Sequence, residues 1–149
     1  MSLALICEVA LAAPQRAALK KQVARMLRAA SLTDGRDYEA SLTLTTDPAI
    51  HALNRQFRNK NKPTDVLAFA QREAANAHAD LLGDIVISVD TARRQAKRGL
   101  PAELLHLASH GLCHLLGYDH RDDAEEAVMN ARAATLRREA RRAGKIRAA

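Results

Sequence analysis

Residues 110–120 read HGLCHLLGYDH, and this stretch holds three of the chain's six histidines. On a helix, residues four apart share one face, so His110 and His114 can aim at a common point. Gly117 follows three residues later, where a left-handed C-cap would reverse the chain and swing His120 back toward the pair. The spacing therefore predicts a helix that stops at Gly117, with three imidazoles converging from the helix and its following turn. Surface accident, structural knot and metal site are the competing explanations, and an i,i+4 pair alone would not decide among them. The glycine stop and the third histidine favour the metal.

Outward from this stretch, strands and helices alternate with short connections. Upstream, Pro101 opens the histidine helix, and DLLGDIVISV (80–89) is the strongest strand in the chain. Asp90 is expected to cap a helix ending at Gly99. LALICEVAL (3–11) reads as a first strand. Pro14 then starts a helix whose stripe is Leu19, Val23, Met26, Leu27 and Ala30. DGRD (34–37) is a turn and EASLTLTT (39–46) a second strand. Asp47-Pro48 reads as an N-cap and first-turn proline of a short helix through Ile50, Leu53 and Asn54. FRNKNKPTD (57–65) is expected to be a polar loop leading into the strand VLAFA, and 71–80 a mobile loop. Asp122 and Glu125 form a capping box for a long last helix. The expectation is an α+β protein, one domain over 1–149, with a small mixed sheet packed by helices. The metal site lies on a central helix and the turn after it.

Composition bounds the function. The 149 residues, 48% hydrophobic and 27% charged, suit one globular core. No run approaches the roughly 18 apolar residues of a membrane span. MSLALICEVALAAP lacks a basic start and is broken by Glu8, so it is not read as a signal peptide, and a cytoplasmic protein is expected. Cys7 and Cys113 make neither a disulfide framework nor a Cys-x-x-Cys knuckle. The formal charge of +6 points weakly to a polyanionic partner. Tyr38, Phe57, Phe69 and Tyr118 are the only aromatic rings, so a nucleic-acid contact is expected to rest on phosphates and shape rather than on stacking. The last helix carries Arg132, Arg137, Arg138, Arg141, Arg142, Lys145 and Arg147 against the single acid Glu139. That is either a solvated helix end or a contact for RNA or ribosome.

His-x3-His-x2-Gly-x2-His is also the spacing of the metzincin zinc proteases, with Gly111 in place of their catalytic glutamate. Three neutral ligands and one open position suit one Zn²⁺ per chain. They leave the ion its full charge, enough to lower the pKa of a bound water to about 7. A site of that kind is catalytic in type. His106 lies a turn before His110 and is not counted as a ligand, and His51 and His78 belong to no constellation.

HGLCHLLGYDH resembles the signature of the YbeY endoribonuclease family of rRNA maturation factors, HG-x-LHLLGYDH. FRNKNKPTDVLAFA (57–70) is similar to that family's RGKDKPTDVLSFP segment, and LLGDIVIS (81–88) to its LGDI strand. The resemblance implies a metal-dependent, single-strand-specific endoribonuclease of small-subunit rRNA maturation and ribosome quality control. It implies His110, His114 and His120 as metal ligands and Arg58 as the active-site arginine that clamps the phosphate beside a zinc-activated water. Single-stranded RNA and the small ribosomal subunit would be the partners. Lys60, Lys62 and Arg55 could position the RNA backbone. The chain departs from the family pattern at Asn59 (glycine), Asn61 (aspartate), Ala68 (serine), Ala70 (proline) and Cys113 (leucine). Two other functions remain open: a non-catalytic ribosome-assembly factor with a structural zinc, and, less favoured for want of the glutamate, a zinc peptidase.

Overall fold

The computed structural model describes residues 2–71 and 80–149. The elements run β1 (Ser2–Cys7), α1 (Ala13–Asp34), β2 (Glu39–Thr45), α2 (Asp47–Arg58), β3 (Val66–Ala70), β4 (Leu81–Ser88), α3 (Val89–Gln95), α4 (Leu100–Leu115) and α5 (Asp123–Arg141). The four strands form one mixed sheet in the order β1-β2-β4-β3. β1, β2 and β4 are parallel, while β3 pairs antiparallel with β4 and closes one edge, Ala68 opposite Ile85. The expected α+β class with a small mixed sheet is what the chain adopts.

The alternation of side chains along each strand divides the apolar residues between the two faces. Leu42, Leu44, Ile85 and Ile87 face the main core, which α1, α4 and α5 complete with Met26, Leu27, Leu104, Leu112 and Met129. Leu67 and Val86 point the other way and meet Ile50, Leu53 and Phe69 in a small second cluster beneath α2. α4 packs on β3, β4, α1, α3 and α5, and is buried at Leu104, Leu105, Leu107, Ala108, Leu112, Cys113 and Leu115. Apolar residues almost all round mark a helix enclosed by the fold rather than lying on its surface.

Two glycines set how closely these layers approach. A Cβ on Gly111 would sit 2.7 Å from Ile85 Cγ2, so a bare backbone lets α4 settle onto β4. At Gly83, φ is +135° and a Cβ would stand 2.0 Å from the Phe69 carbonyl oxygen, so only glycine permits the β3–β4 pairing there.

Several local expectations are corrected. The first strand ends at Cys7 rather than Leu11. The cap of α2 is Thr46, whose Oγ1 accepts from Ala49 N at 3.3 Å, and the cap of α3 is Ser88, whose Oγ accepts from Thr91 N at 3.2 Å. Asp47 and Asp90, each expected to be a cap, stand just inside their helices and bind across to the other one. Asp47 accepts from Ser88, Thr91 and Arg94, and Asp90 accepts from Asp47 N at 2.8 Å. α3 stops at Gln95, and Gly99 caps the start of α4. Asp122 does cap α5, accepting from Glu125 N at 2.8 Å, but Glu125 answers to Arg121 instead of Asp122. Most of the loop expected at 71–80, with His78, lies outside the described residues.

Candidate metal centre

α4 and its C-terminal turn build the site. The Gly117 N–H donates to His114 O at 3.1 Å and the Tyr118 N–H to Cys113 O at 3.0 Å, closing the helix, and Gly117 has φ of 111°. This reversal brings His120 against the helix pair. Ring centroids lie 5.0 Å apart for His110–His114, 5.7 Å for His110–His120 and 5.0 Å for His114–His120. One ring nitrogen from each falls within 4.8 Å of the others. Among the described residues no other cluster of three metal-binding side chains forms.

The donor set fits a divalent cation. His114 Nδ1 lies 3.1 Å from the Tyr118 carbonyl oxygen, which fixes the proton on Nδ1 and leaves Nε2 as the ligating lone pair. Burial holds His110 down at about 4, helped by the charges of His114, His120 and His106, and burial with His120 lowers His114 as well. Both imidazoles are therefore neutral at pH 7, the form a metal requires. His120 is exposed at the rim. Its backbone N–H donates to Asp119 Oδ1 at 2.8 Å, holding that carboxyl below its usual range. Asp119 thus braces the turn. His106 is exposed and outside the cluster. Cys113 is fully buried against Met129 O, and burial pushes its thiol up to about 11, a packing role.

The histidines lie in a cleft of about 640 Å³ bounded by β3, the 59–65 segment and the end of α2. Arg58, Lys60, Lys62, Asp65 and Tyr118 also line it. Arg58 was expected on a loop, but α2 runs four residues past Asn54 and ends on it. Its guanidinium lies 5.2 Å from the centre of the Phe69 ring and donates to Ala68 O. Asn59 then takes φ of 56° as the C-cap. Asparagine is the residue after glycine that tolerates this conformation best, so the departure from the family's glycine is absorbed.

Sequence reasoning missed two organisers of the cleft wall. Asn54, buried in α2, donates to Lys62 O at 2.9 Å, while its own carbonyl accepts from Lys60 N at 3.2 Å. Asp65 accepts from Val66 N at 2.7 Å and from Gln95 at 3.2 Å. The available signal for Asn54 was a polar residue on the stripe of Ile50 and Leu53. Asp65 carried none beyond its place in the PTD triplet.

Three imidazoles converging beside a cationic cleft on an α+β scaffold define a protein with a candidate hydrolytic metal centre. Residues 9–141 match the family model described as endoribonuclease YbeY. The curated endoribonuclease YbeY of a Picosynechococcus species is 45% identical over 136 residues, covering 85% of this chain and 82% of that one. The Moorella thermoacetica counterpart is 50% identical over 121 residues, covering 72% and 78%. In fold, the solution structure of TM1509 from Thermotoga maritima superposes with a TM-score of 0.61 at 24% identity, over 93% of this chain and 88% of that one. The chain belongs to the endoribonuclease YbeY family.

Proposed function

We propose that this chain cleaves single-stranded RNA in the maturation of small-subunit rRNA, in the cytoplasm, with His110, His114 and His120 holding one zinc ion and Arg58 binding the phosphate. The observation that carries the proposal is the convergence of three ring nitrogens within 4.8 Å in a cleft that also presents Arg58, Lys60 and Lys62. A zinc ion held by these three imidazoles would supply Lewis-acid character to the cleft. Three imidazoles also accept nickel or cobalt.

Phosphodiester hydrolysis places extra negative charge on phosphate oxygens, and preorganised cations stabilise it. Arg58 suits this role because its planar fork can take two oxygens at once. Phe69 and Ala68 O hold the guanidinium at the cleft, limiting the entropy lost on binding. Lys60 and Lys62 are exposed and follow Arg58 along the same wall, placed to hold backbone phosphates. A cleft of about 640 Å³ is within the range of sites for small molecules, enough for a nucleotide or two. Among the described residues no helix is long and apolar enough to cross a membrane.

A peptidase reading gains nothing from the fold. Gly111 occupies the place of the metzincin glutamate, and a Cβ there would already meet Ile85 Cγ2 at 2.7 Å and Val66 Cγ2 at 3.4 Å, leaving no space for a glutamate.

The test is cleavage of a single-stranded rRNA fragment in zinc by wild type, His114→Ala and Arg58→Glu, with metal content and circular dichroism measured for each. Wild type should cut. Folded His114→Ala should lose both metal and cleavage, and Arg58→Glu should keep metal while losing cleavage. A metal-loaded wild type that cuts nothing, indistinguishable from both variants, would overturn the nuclease reading in favour of an assembly factor with a structural metal.

A further inference from the structure

Residues 55–63, RQFRNKNKP, contain four cations, no acid and one aromatic ring, and every residue of the run is exposed. No carboxylate among the described residues forms an ion pair with Arg55, Arg58, Lys60 or Lys62. The ring, Phe57, is 56% exposed. Among the described residues, the other large apolar side chains left this open are Ile6, Leu32 and Val128, none of them aromatic. A single exposed apolar residue needs no explanation. An exposed ring set in an unneutralised cationic run that lends Arg58, Lys60 and Lys62 to the cleft wall does.

Arg58, which lines the cleft, connects this ring to the site through Phe69. Phe57 meets Phe69 edge to face, with centroids 5.5 Å apart and planes at 70°. Phe69 in turn carries the Arg58 guanidinium 5.2 Å from its own centre. Ala68 and Ala70, the strand neighbours of Phe69, line the cleft. Two of the chain's four phenylalanine and tyrosine rings thus meet on the face of β3 opposite Ala68 and Ala70, joined to the cleft by Arg58, although they are separated by twelve positions in sequence. The scarcity of rings, which predicted a contact made mainly by phosphates and shape, is offset by the meeting of two of them at one place.

We propose that Phe57 is the platform on which an unpaired base of the RNA strand stacks while the neighbouring cations hold its backbone. Aromatic stacking grips any base through its π-face, and arginine adds a cation–π contribution. A paired base is already stacked within its duplex, so the platform selects single strands. The inference rests on the ribonuclease reading of the cleft and names how that site selects its substrate.

The chain has no tryptophan, so Phe57→Trp introduces a sole indole reporter. Zinc-loaded Phe57→Trp should be quenched by a single-stranded oligoribonucleotide, and not by the same strand annealed to its complement or by an abasic ribose-phosphate chain of equal length. Phe57→Leu, which keeps an apolar contact on Phe69, should bind the single strand about tenfold more weakly with an unchanged slope against salt, since the phosphate contacts remain. Equal quenching by the abasic chain, or unchanged affinity in Phe57→Leu, would overturn the proposal. The readout is independent of cleavage. Quenching without any cutting by wild type would sink the nuclease reading and leave the platform standing, and cutting with a silent indole would do the reverse.

Discussion

Arg132, on α5, donates to the Tyr118 hydroxyl at 2.9 Å, and the carbonyl of the same tyrosine accepts from His114 Nδ1 at 3.1 Å. A cation on the last helix is thereby connected through one residue to a histidine of the candidate metal centre. The guanidinium also lies 5.7 Å from the centre of the Tyr118 ring and donates to Ala149 O at 2.8 Å. Arg132 is in that sense a positioning residue for the turn that carries His120. Removing a partner outside the ligand set commonly costs 10–100-fold in metal affinity. Arg132→Met should weaken zinc binding by about tenfold, measured by competition with a chromophoric chelator, and Tyr118→Phe should do the same. A purely structural role would lower the melting temperature and leave affinity per folded molecule unchanged.

The two packed glycines should differ in severity. Gly111→Ala drives a methyl into Ile85 Cγ2 at 2.7 Å, an overpacking that costs about 1–3 kcal/mol and shows as a lower urea midpoint with the m-value retained. Gly83→Ala meets the Phe69 carbonyl at 2.0 Å, and backbone cannot step aside as a side chain can. Its φ of +135° is unfavourable for alanine as well. That variant should lose the β3–β4 pairing and with it the cleft wall. A well-folded, active Gly83→Ala would contradict this account of the edge strand.

How far the sequence foretold the molecule depends on the range of the interaction involved. The histidine helix, its glycine stop, the strand 81–88 and the stripe of α1 follow from periodicity and spacing, and all of them form. The caps did not follow, because Asp47 and Asp90 each find partners on the other's helix, more than forty residues away in sequence. Burial pushes the Asp47 carboxyl up, yet Ser88, Thr91 and Arg94 together bring it down to about 2. No local window contains that competition. Arg58 was located by resemblance alone. What holds it, the Phe69 ring and Ala68 O, requires the pairing of α2 with β3. Likewise, seven cations on a helix looked free in sequence, although Arg137 donates to the buried Ser109 at 2.8 Å, while Arg142 and Arg147 converge on Glu139.

Glu139 sets an acid limit on stability. Arg142 and the Arg147 N–H hold its carboxyl at about 2 against the opposing effect of burial. A depressed carboxylate stabilises the fold above its unfolded pKa and loses that contribution as pH falls through the folded one. The advantage of wild type over Glu139→Gln should therefore be full at pH 7 and shrink from about pH 4.5 toward pH 2. Thermal melts across that range check it, and a gap that is constant with pH would show that the charge of Glu139 contributes nothing.

Salt dependence separates cations that meet RNA from cations that hold the fold. Each phosphate neutralised on a single strand steepens the fall of log K with log salt by about 0.7. Lys60 and Lys62 are exposed along the cleft wall, so the double variant Lys60→Gln/Lys62→Gln should flatten the slope by about 1.4 without altering the melting temperature. Arg142 is occupied differently, bonded to both Glu139 oxygens at 3.0–3.2 Å and to Lys145 O at 2.6 Å. Arg142→Gln should leave the slope as it was and lower the melting temperature, because its loss leaves Glu139 without its main partner. The opposite pattern, a flattened slope from Arg142→Gln and an unaltered one from the lysine pair, would place the RNA on the C-terminal helix instead of the cleft.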